Sequence, residues 1–118
     1  TYTGRVWYWE LSGPGEIRRN PLAPNGGHLL ADLHEGEALD SLAVDADGNV
    51  CVATILKGGI TIISPKGEHR RVDTDDLLTT NICFGGKDLR TAFITLSSTG
   101  RLVSCEWERP GLRLAYNL

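Results

Sequence analysis

Apolar and polar residues alternate along most of the chain in short runs, which turns rich in glycine, proline and aspartate separate. In the clearest case, the apolar arms 42–44 and 50–53 flank Asp47-Gly48. Asp-Gly between apolar runs is a strong β-hairpin signal, because both residues tolerate the positive φ angles of a two-residue turn. The pattern therefore predicts a tight hairpin, and it places Asp40 just before the first strand.

The same alternation predicts strands on both sides of this hairpin. They are expected at 4–11, 28–33, 60–63, 68–72, 93–95, 100–107 and 112–116. The run 68–72 is short and polar, which suits an outer edge strand that must not pair with other molecules. The chain is therefore expected to be all-β.

An internal repeat organises these strands. Leu42 aligns with Ile82 at a separation of 40 residues, and Gly59 aligns with Gly100 at a separation of 41. Short strands repeating at this period are typical of a β-propeller with four strands per blade. The chain 1–118 is thus predicted to be a partial propeller, with a half blade at 1–38 and full blades at 39–78 and 79–118. Because blades are stabilised by their neighbours, we expect a missing propeller half or self-association to complete the ring.

The composition argues against several classes of function. The formal net charge of −3 gives no electrostatic reason to expect nucleic acid or an anionic membrane as a partner. No apolar run is long enough to span a bilayer. The start at Thr1, without an initiator Met, suggests that the chain is not a complete gene product.

The cysteines form no Cys-x-x-Cys pair and interrupt apolar runs. We expect Cys51, Cys83 and Cys105 to be buried free thiols that act as small hydrophobic residues. Free thiols are consistent with a reducing, cytoplasmic compartment.

Two segments resemble motifs of the senescence marker protein / gluconolactonase / luciferin-regenerating enzyme family. Leu39-Asp40-Ser41 stands where the family has Pro-Asp-Gly, and Cys51 stands where Trp is common. The run 80–91 is similar to the family's Asn-Val-x-Phe-Gly-Gly-x-Asp-Leu segment. The resemblance implies a six-bladed β-propeller that hydrolyses lactones with a divalent metal, calcium first and zinc second.

The resemblance also implies site residues. Asp40 matches the family Asp that binds the metal at one mouth of the channel, so it is the expected metal-binding and catalytic residue. The family's Glu and Asn ligands belong to segments upstream of Thr1. Thr80 is aligned with Asp40 in the next blade and would offer a hydroxyl to the substrate, although a plain strand start explains it equally well.

The expected reaction is hydrolysis of a sugar lactone. The cation would polarise the ring carbonyl and stabilise the oxyanion, while Asp40 binds the cation and helps to activate water. One carboxylate cannot supply the six to eight oxygens that calcium takes. The alternative is a non-catalytic propeller-type binding or scaffold module, which the departures at Leu39, Ser41 and Cys51 favour.

Other polar motifs are weaker. Asp45 and Asp47 are best explained by the turn that they flank. The acidic run 73–76 lacks the Gly and Glu of a calcium loop and is expected to be a solvated connector. The run 97–100 lacks the Gly-x-Ser-x-Gly spacing of a nucleophile elbow.

The propeller register also predicts which apolar side chains are buried between blades. These are Trp7, Trp9, Leu42, Val44, Val52, Ile62, Ile82, Phe84, Ile94 and Val103.

Overall fold

The computed structural model describes residues 4–8, 28–33 and 37–115. Every regular element in these ranges is a β-strand, which confirms the all-β prediction. Numbered along the chain, the strands are β1 Arg5–Tyr8, β2 His28–Asp32, β3 Ala38–Val44, β4 Val50–Ile55, β5 Ile60–Ile63, β6 His69–Val72, β7 Thr79–Gly85, β8 Thr91–Leu96 and β9 Arg101–Glu106.

The strands form three antiparallel sheets in which each strand pairs with the next one along the chain. The first sheet is β1-β2, the second is β3-β4-β5-β6 and the third is β7-β8-β9. The second sheet thus has the four strands of a propeller blade. The predicted strand at 112–116 is wrong for 112–115, which form no strand, and Tyr116 lies outside the described residues, as do residues 9–11 of the first predicted strand.

The hairpin between β3 and β4 has a three-residue loop instead of the predicted two-residue turn. The Asp45 N–H donates to the Asn49 carbonyl oxygen at 3.0 Å, and the Gly48 N–H donates to the Asp45 carbonyl oxygen at 3.0 Å. Gly48 has a φ of 82°, whereas Asp47 does not have a positive φ. This is a type I turn followed by a left-handed residue, the usual three-residue hairpin loop.

The hairpin between β7 and β8 has a loop of the same length 41 residues later, and the Leu89 N–H donates to the Gly86 carbonyl oxygen at 3.3 Å. The last pair of residues before the loop is Val44 and Val50 in the first hairpin, and Gly85 and Thr91 in the second. Leu89, with a φ of 58°, supplies the left-handed position of the second loop. The repeat is therefore confirmed, but the separation of 40 residues between Leu42 and Ile82 is one residue too short.

Both hairpins also contain a β-bulge near the start of their first strand. The pairing register shifts between Leu39 and Leu42 in β3, and between Thr79 and Asn81 in β7. In each case the first strand has one residue more than its partner over the shift, and such an extra residue bends the strand and re-aims side chains.

Two apolar clusters hold the sheets together. One lies between the second and third sheets and contains Cys51, Ala53, Ile60, Ile62, Ile82, Ala92, Ile94, Leu96 and Trp107. The other lies between the first and second sheets and contains Val6, Ala31, Leu33, Val52 and Ile63. Neighbouring residues of β4 enter different clusters, because successive side chains of a strand point to opposite faces.

The burial prediction is mostly confirmed. The buried members of the predicted set are Val52, Ile62, Ile82 and Ile94, and the half-buried members are Trp7, Val44, Phe84 and Val103. Leu42 is 50% exposed, so the prediction is wrong there. It lies next to the bulge on an edge strand, where Asp40 and Ser41 are also exposed. Trp9 lies outside the described residues.

The segment 110–112 packs across the loop ends of both hairpins. The Leu112 N–H donates to the Val44 carbonyl oxygen at 2.9 Å. A side chain at Gly111 would come within 2.3 Å of the Phe84 Cβ, so only glycine fits this close approach. The segment therefore joins two blades at the end of β3 and β7 opposite to the bulges.

Candidate functional site

Asp40 lies in the bulged part of β3, an edge strand that packs against β7. Its side chain is exposed and makes no hydrogen bond or ion pair within the described part of the chain. The carboxylate is therefore accessible to a ligand. Its role in metal binding and catalysis stays a prediction.

The strand register gives Asp40 a different counterpart from the predicted one. The paired part of β3 begins at Ala38 and that of β7 begins at Thr79, again 41 residues apart. Two residues further along each strand lie Asp40 and Asn81, and both are exposed. The alignment of Thr80 with Asp40 is therefore wrong by one residue, and the sequence reasoning missed Asn81.

Thr80 instead joins a small cluster of hydroxyl groups at the start of β7. Its Oγ1 lies 2.9 Å from the Thr95 Oγ1 and 2.8 Å from the Ser97 Oγ. The Asn81 Oδ1 beside it accepts a hydrogen bond from the Ile82 N–H at 2.8 Å. The predicted role of Thr80 in substrate binding stays a prediction.

Asp76 holds the turn that carries part of this cluster. Its side chain is buried, and Oδ1 accepts hydrogen bonds from the N–H groups of Leu78 (2.8 Å) and Ser98 (3.3 Å). Oδ2 accepts from the Thr99 N–H at 2.9 Å and the Thr99 Oγ1 at 2.7 Å. Burial acts to raise the pKa of Asp76, but hydrogen bonds from Thr99, Leu78 and Ser98 outweigh it and hold this pKa well below its usual range.

The prediction that 73–76 is a solvated connector is therefore wrong for Asp76. The Ser97 N–H also donates to the Leu78 carbonyl oxygen at 2.8 Å. Together these bonds fix the turn after β8 against the segment before β7. Asp76 is thus a structural carboxylate. The sequence did not distinguish it from the neighbouring aspartates.

Asp45 is also structural. Its Oδ1 accepts from the N–H groups of Asp47 (3.0 Å) and Asn49 (2.9 Å), and its Oδ2 accepts from the Asn49 Nδ2 at 2.7 Å. The side chain is fully buried, whereas Asp47 is exposed and pairs with Arg109 at 2.7 Å. These contacts confirm that the turn explains Asp45, whereas the Asp47 side chain pairs outside the turn.

The cysteines differ from one another. Cys51 is fully buried, as predicted. Burial raises the pKa of its thiol to about 12. The charge of Asp45 also raises this pKa, whereas the Trp107 indole lowers it. Cys83 and Cys105 are exposed, so the prediction that they are buried is wrong. All three are free thiols.

The described residues contain no group of three or more His, Cys, Asp and Glu side chains that could hold a metal ion. In the same ranges, no helix is long and apolar enough to cross a membrane. A cavity of about 210 Å³ lies between the outer parts of the second and third sheets, and neither Asp40 nor Thr80 lines it. Its walls are Ile62, Val72, Cys105, Glu106, Trp107 and Glu108.

In the described residues, a four-stranded meander is followed by a three-stranded one whose hairpin repeats at a 41-residue period. This arrangement is that of successive propeller blades, and comparison with known proteins agrees. The family model described as "SMP-30/Gluconolactonase/LRE-like region" matches residues 3–98. The chain belongs to this family. Comparison with curated protein sequences finds no match.

Among solved structures, the chain is similar to an X-ray structure of a protein provisionally assigned as a gluconolactonase. The TM-score is 0.65 and the sequence identity is 24%. The similarity covers 96% of this chain and 34% of that one, so the chain spans about a third of the length of that protein. At this identity the likeness concerns the fold alone.

Proposed function

We propose that this chain forms part of a gluconolactonase-like hydrolase that opens the ester bond of sugar lactones, with Asp40 at the mouth of the propeller channel. The observation that supports the proposal is the free, exposed Asp40 carboxylate at a bulge. Bulges often lie next to active sites, where they re-aim a side chain. The resemblance of Leu39-Asp40-Ser41 to the family's Pro-Asp-Gly motif also implies that Asp40 matches the metal-binding Asp.

A divalent cation, calcium or zinc, is the cofactor that the family implies. Such a cation would act as a Lewis acid on the lactone carbonyl. The described residues do not make a complete site for it, because calcium takes six to eight oxygens and Asp40 has one carboxylate. We propose that Asp40 contributes one ligand and that the others come from outside the described ranges.

The chain's own residues contribute recognition and orientation. The Asp40 carboxylate can accept hydrogen bonds from water or from a substrate hydroxyl, since it has no partner among the described residues. β7 packs against β3, and its exposed Asn81 lies at the position of the next blade that corresponds to Asp40. A sugar lactone has the ring oxygens and hydroxyl groups that such side chains bind.

We further propose that the remaining blades come from more polypeptide or from other copies of the chain. The chain spans about a third of the similar structure, and apolar side chains remain exposed on its outer sheets. Leu29 in β2 is 49% exposed and Leu102 in β9 is 67% exposed. A reducing, cytoplasmic compartment suits the three free thiols.

The test is lactone turnover by the assembled protein. Its mass is measured by light scattering, and hydrolysis of D-glucono-1,5-lactone is followed with calcium, with zinc and with a chelator. Asp40→Asn should lower metal-dependent turnover by about a hundredfold or more, the scale of losing a key electrostatic group. Asp88→Asn removes an exposed carboxylate from the loop between β7 and β8, at the end of the next hairpin opposite to its bulge, and should leave turnover unchanged.

Two outcomes would count against the proposal. Full activity of Asp40→Asn would remove Asp40 from the reaction. Binding of the lactone without turnover by the wild-type assembly would instead support a non-catalytic binding module.

A further inference from the structure

The start of β7 presents three hydroxyl groups that the proposed function does not use, besides the Asn81 amide that it does use. Thr80 and Thr95 are half-buried, while Asn81 and Ser97 are exposed. They lie together because Thr80 and Asn81 belong to the bulge that faces the end of β8, and Ser97 follows that end directly. The group thus lies at the bulged end of the β7–β8 hairpin, and Asp40 lies at the bulged end of the β3–β4 hairpin.

A count of donors and acceptors shows what this group can bind. Three hydroxyls carry three protons and six lone pairs, and the two hydrogen bonds that link Thr80 to Thr95 and Ser97 use two of each. One proton and several lone pairs remain. The Asn81 Oδ1 is used by a backbone N–H, so its amide NH₂ adds two donors. The group therefore offers donors and acceptors side by side, as a polyhydroxylated ligand requires.

The group is also held in place before any ligand arrives. Buried Asp76 binds the backbone N–H groups of Ser98 and Thr99, and the Ser97 N–H is bonded to the Leu78 carbonyl oxygen. Fixed hydrogen-bonding groups lose less entropy on binding than flexible ones. Asp76 is a positioning residue for this turn.

We propose that Thr80, Asn81, Thr95 and Ser97 form a subsite for the hydroxyl groups of a sugar lactone, at the end of the β7–β8 hairpin that corresponds to the position of Asp40 in the β3–β4 hairpin. The proposal rests on the proposed function and adds a specificity determinant to it. The subsite selects polyhydroxylated lactones over unsubstituted ones, because only the former can pair with these groups. Asp76 acts through the turn and does not touch the ligand.

The experiment compares two lactones in the assembled protein. D-Glucono-1,5-lactone carries hydroxyl groups, and δ-valerolactone has the same ring without them. Thr80→Val, Thr95→Val and Ser97→Ala should each raise KM for the sugar lactone by about threefold to tenfold, the effect of one neutral hydrogen bond. KM for δ-valerolactone and kcat for both should not change.

Two control variants separate hydrogen bonding from packing. Thr91→Val removes a hydroxyl from the opposite end of the same strand, and it should leave both KM values unchanged. Thr95→Ser keeps the hydroxyl and should restore most of the affinity. Equal effects of Thr95→Val on the two lactones, or no effect on either, would overturn the subsite while leaving the proposed function intact.

A second measurement covers the case in which no lactone is turned over. D-Glucitol, an unreactive polyol, is titrated into the 118-residue chain, and amide shifts are followed by NMR spectroscopy. Shifts confined to residues 79–82 and 95–99 that disappear in Thr80→Val would support the subsite even if the enzymatic proposal fails. Absence of such shifts in the wild-type chain would overturn the subsite.

Discussion

Asp45→Ala is the substitution whose structural cost can be worked out most directly. The carboxylate is fully buried and accepts three hydrogen bonds, from the Asp47 N–H, the Asn49 N–H and the Asn49 Nδ2. A hydrogen bond to a charged group contributes about 1.5–3 kcal/mol. Because the turn is close to solvent, water can replace part of what is lost. We therefore expect the free energy of unfolding to fall by about 3 kcal/mol, well below the simple sum.

The assay is urea unfolding of the 118-residue chain, followed by far-UV circular dichroism. Asp47→Ala is the matched control, because Asp47 lies in the same loop but is exposed and makes a surface ion pair with Arg109. Such pairs contribute about 0–1 kcal/mol. Calcium should not change either result, since the turn uses these oxygens. Equal destabilisation by the two variants, or protection of the wild type by calcium through Asp45, would refute this explanation.

Three further predictions follow from other contacts. A thiol reagent should label Cys83 and Cys105 rapidly in the folded chain, and Cys51 only after unfolding. The reason is that Cys51 is buried and its thiol has a pKa of about 12. Rapid labelling of all three thiols would contradict the structure. Asp76 has a lowered pKa in the folded state, so its contribution to stability is present above the unfolded pKa near 4 and is lost as the pH falls below it. Urea midpoints at pH 6 and pH 3 should therefore differ less in Asp76→Asn than in the wild type. Gly111→Ala should destabilise the chain by about 1–3 kcal/mol through overpacking, measured as a lower urea midpoint, and an unchanged midpoint would show that segment 110–112 does not pack as described.

Much of the fold was predictable because strands and turns are local features. Alternation predicted the strands of the second sheet, and the Asp-Gly signal predicted the hairpin. The bulge was not predictable, because one extra residue leaves no mark in the apolar pattern. Because both hairpins have such a bulge, their offset is 41 residues on either side of it. The counterpart of Asp40 is therefore Asn81, and the 40-residue alignment of Leu42 with Ile82 had placed it at Thr80.

Other errors arose from contacts between distant segments. Asp76 is buried by a turn 22 and 23 residues further along the chain, which composition cannot reveal. Cys83 lies on β7 and Cys105 on β9, in a sheet that packs against another sheet on one face only in the described residues. An apolar run therefore predicted their strands correctly but not their exposure.

The central proposal is that Asp40 binds a divalent cation, and calcium binding to the assembled protein tests this proposal most directly. Isothermal titration calorimetry would be performed on the wild type, on Asp40→Asn and on the Asp88→Asn control. We predict that calcium binds the wild type and the control equally and binds Asp40→Asn at least tenfold more weakly. Equal calcium affinity of Asp40→Asn and the wild type would contradict the account.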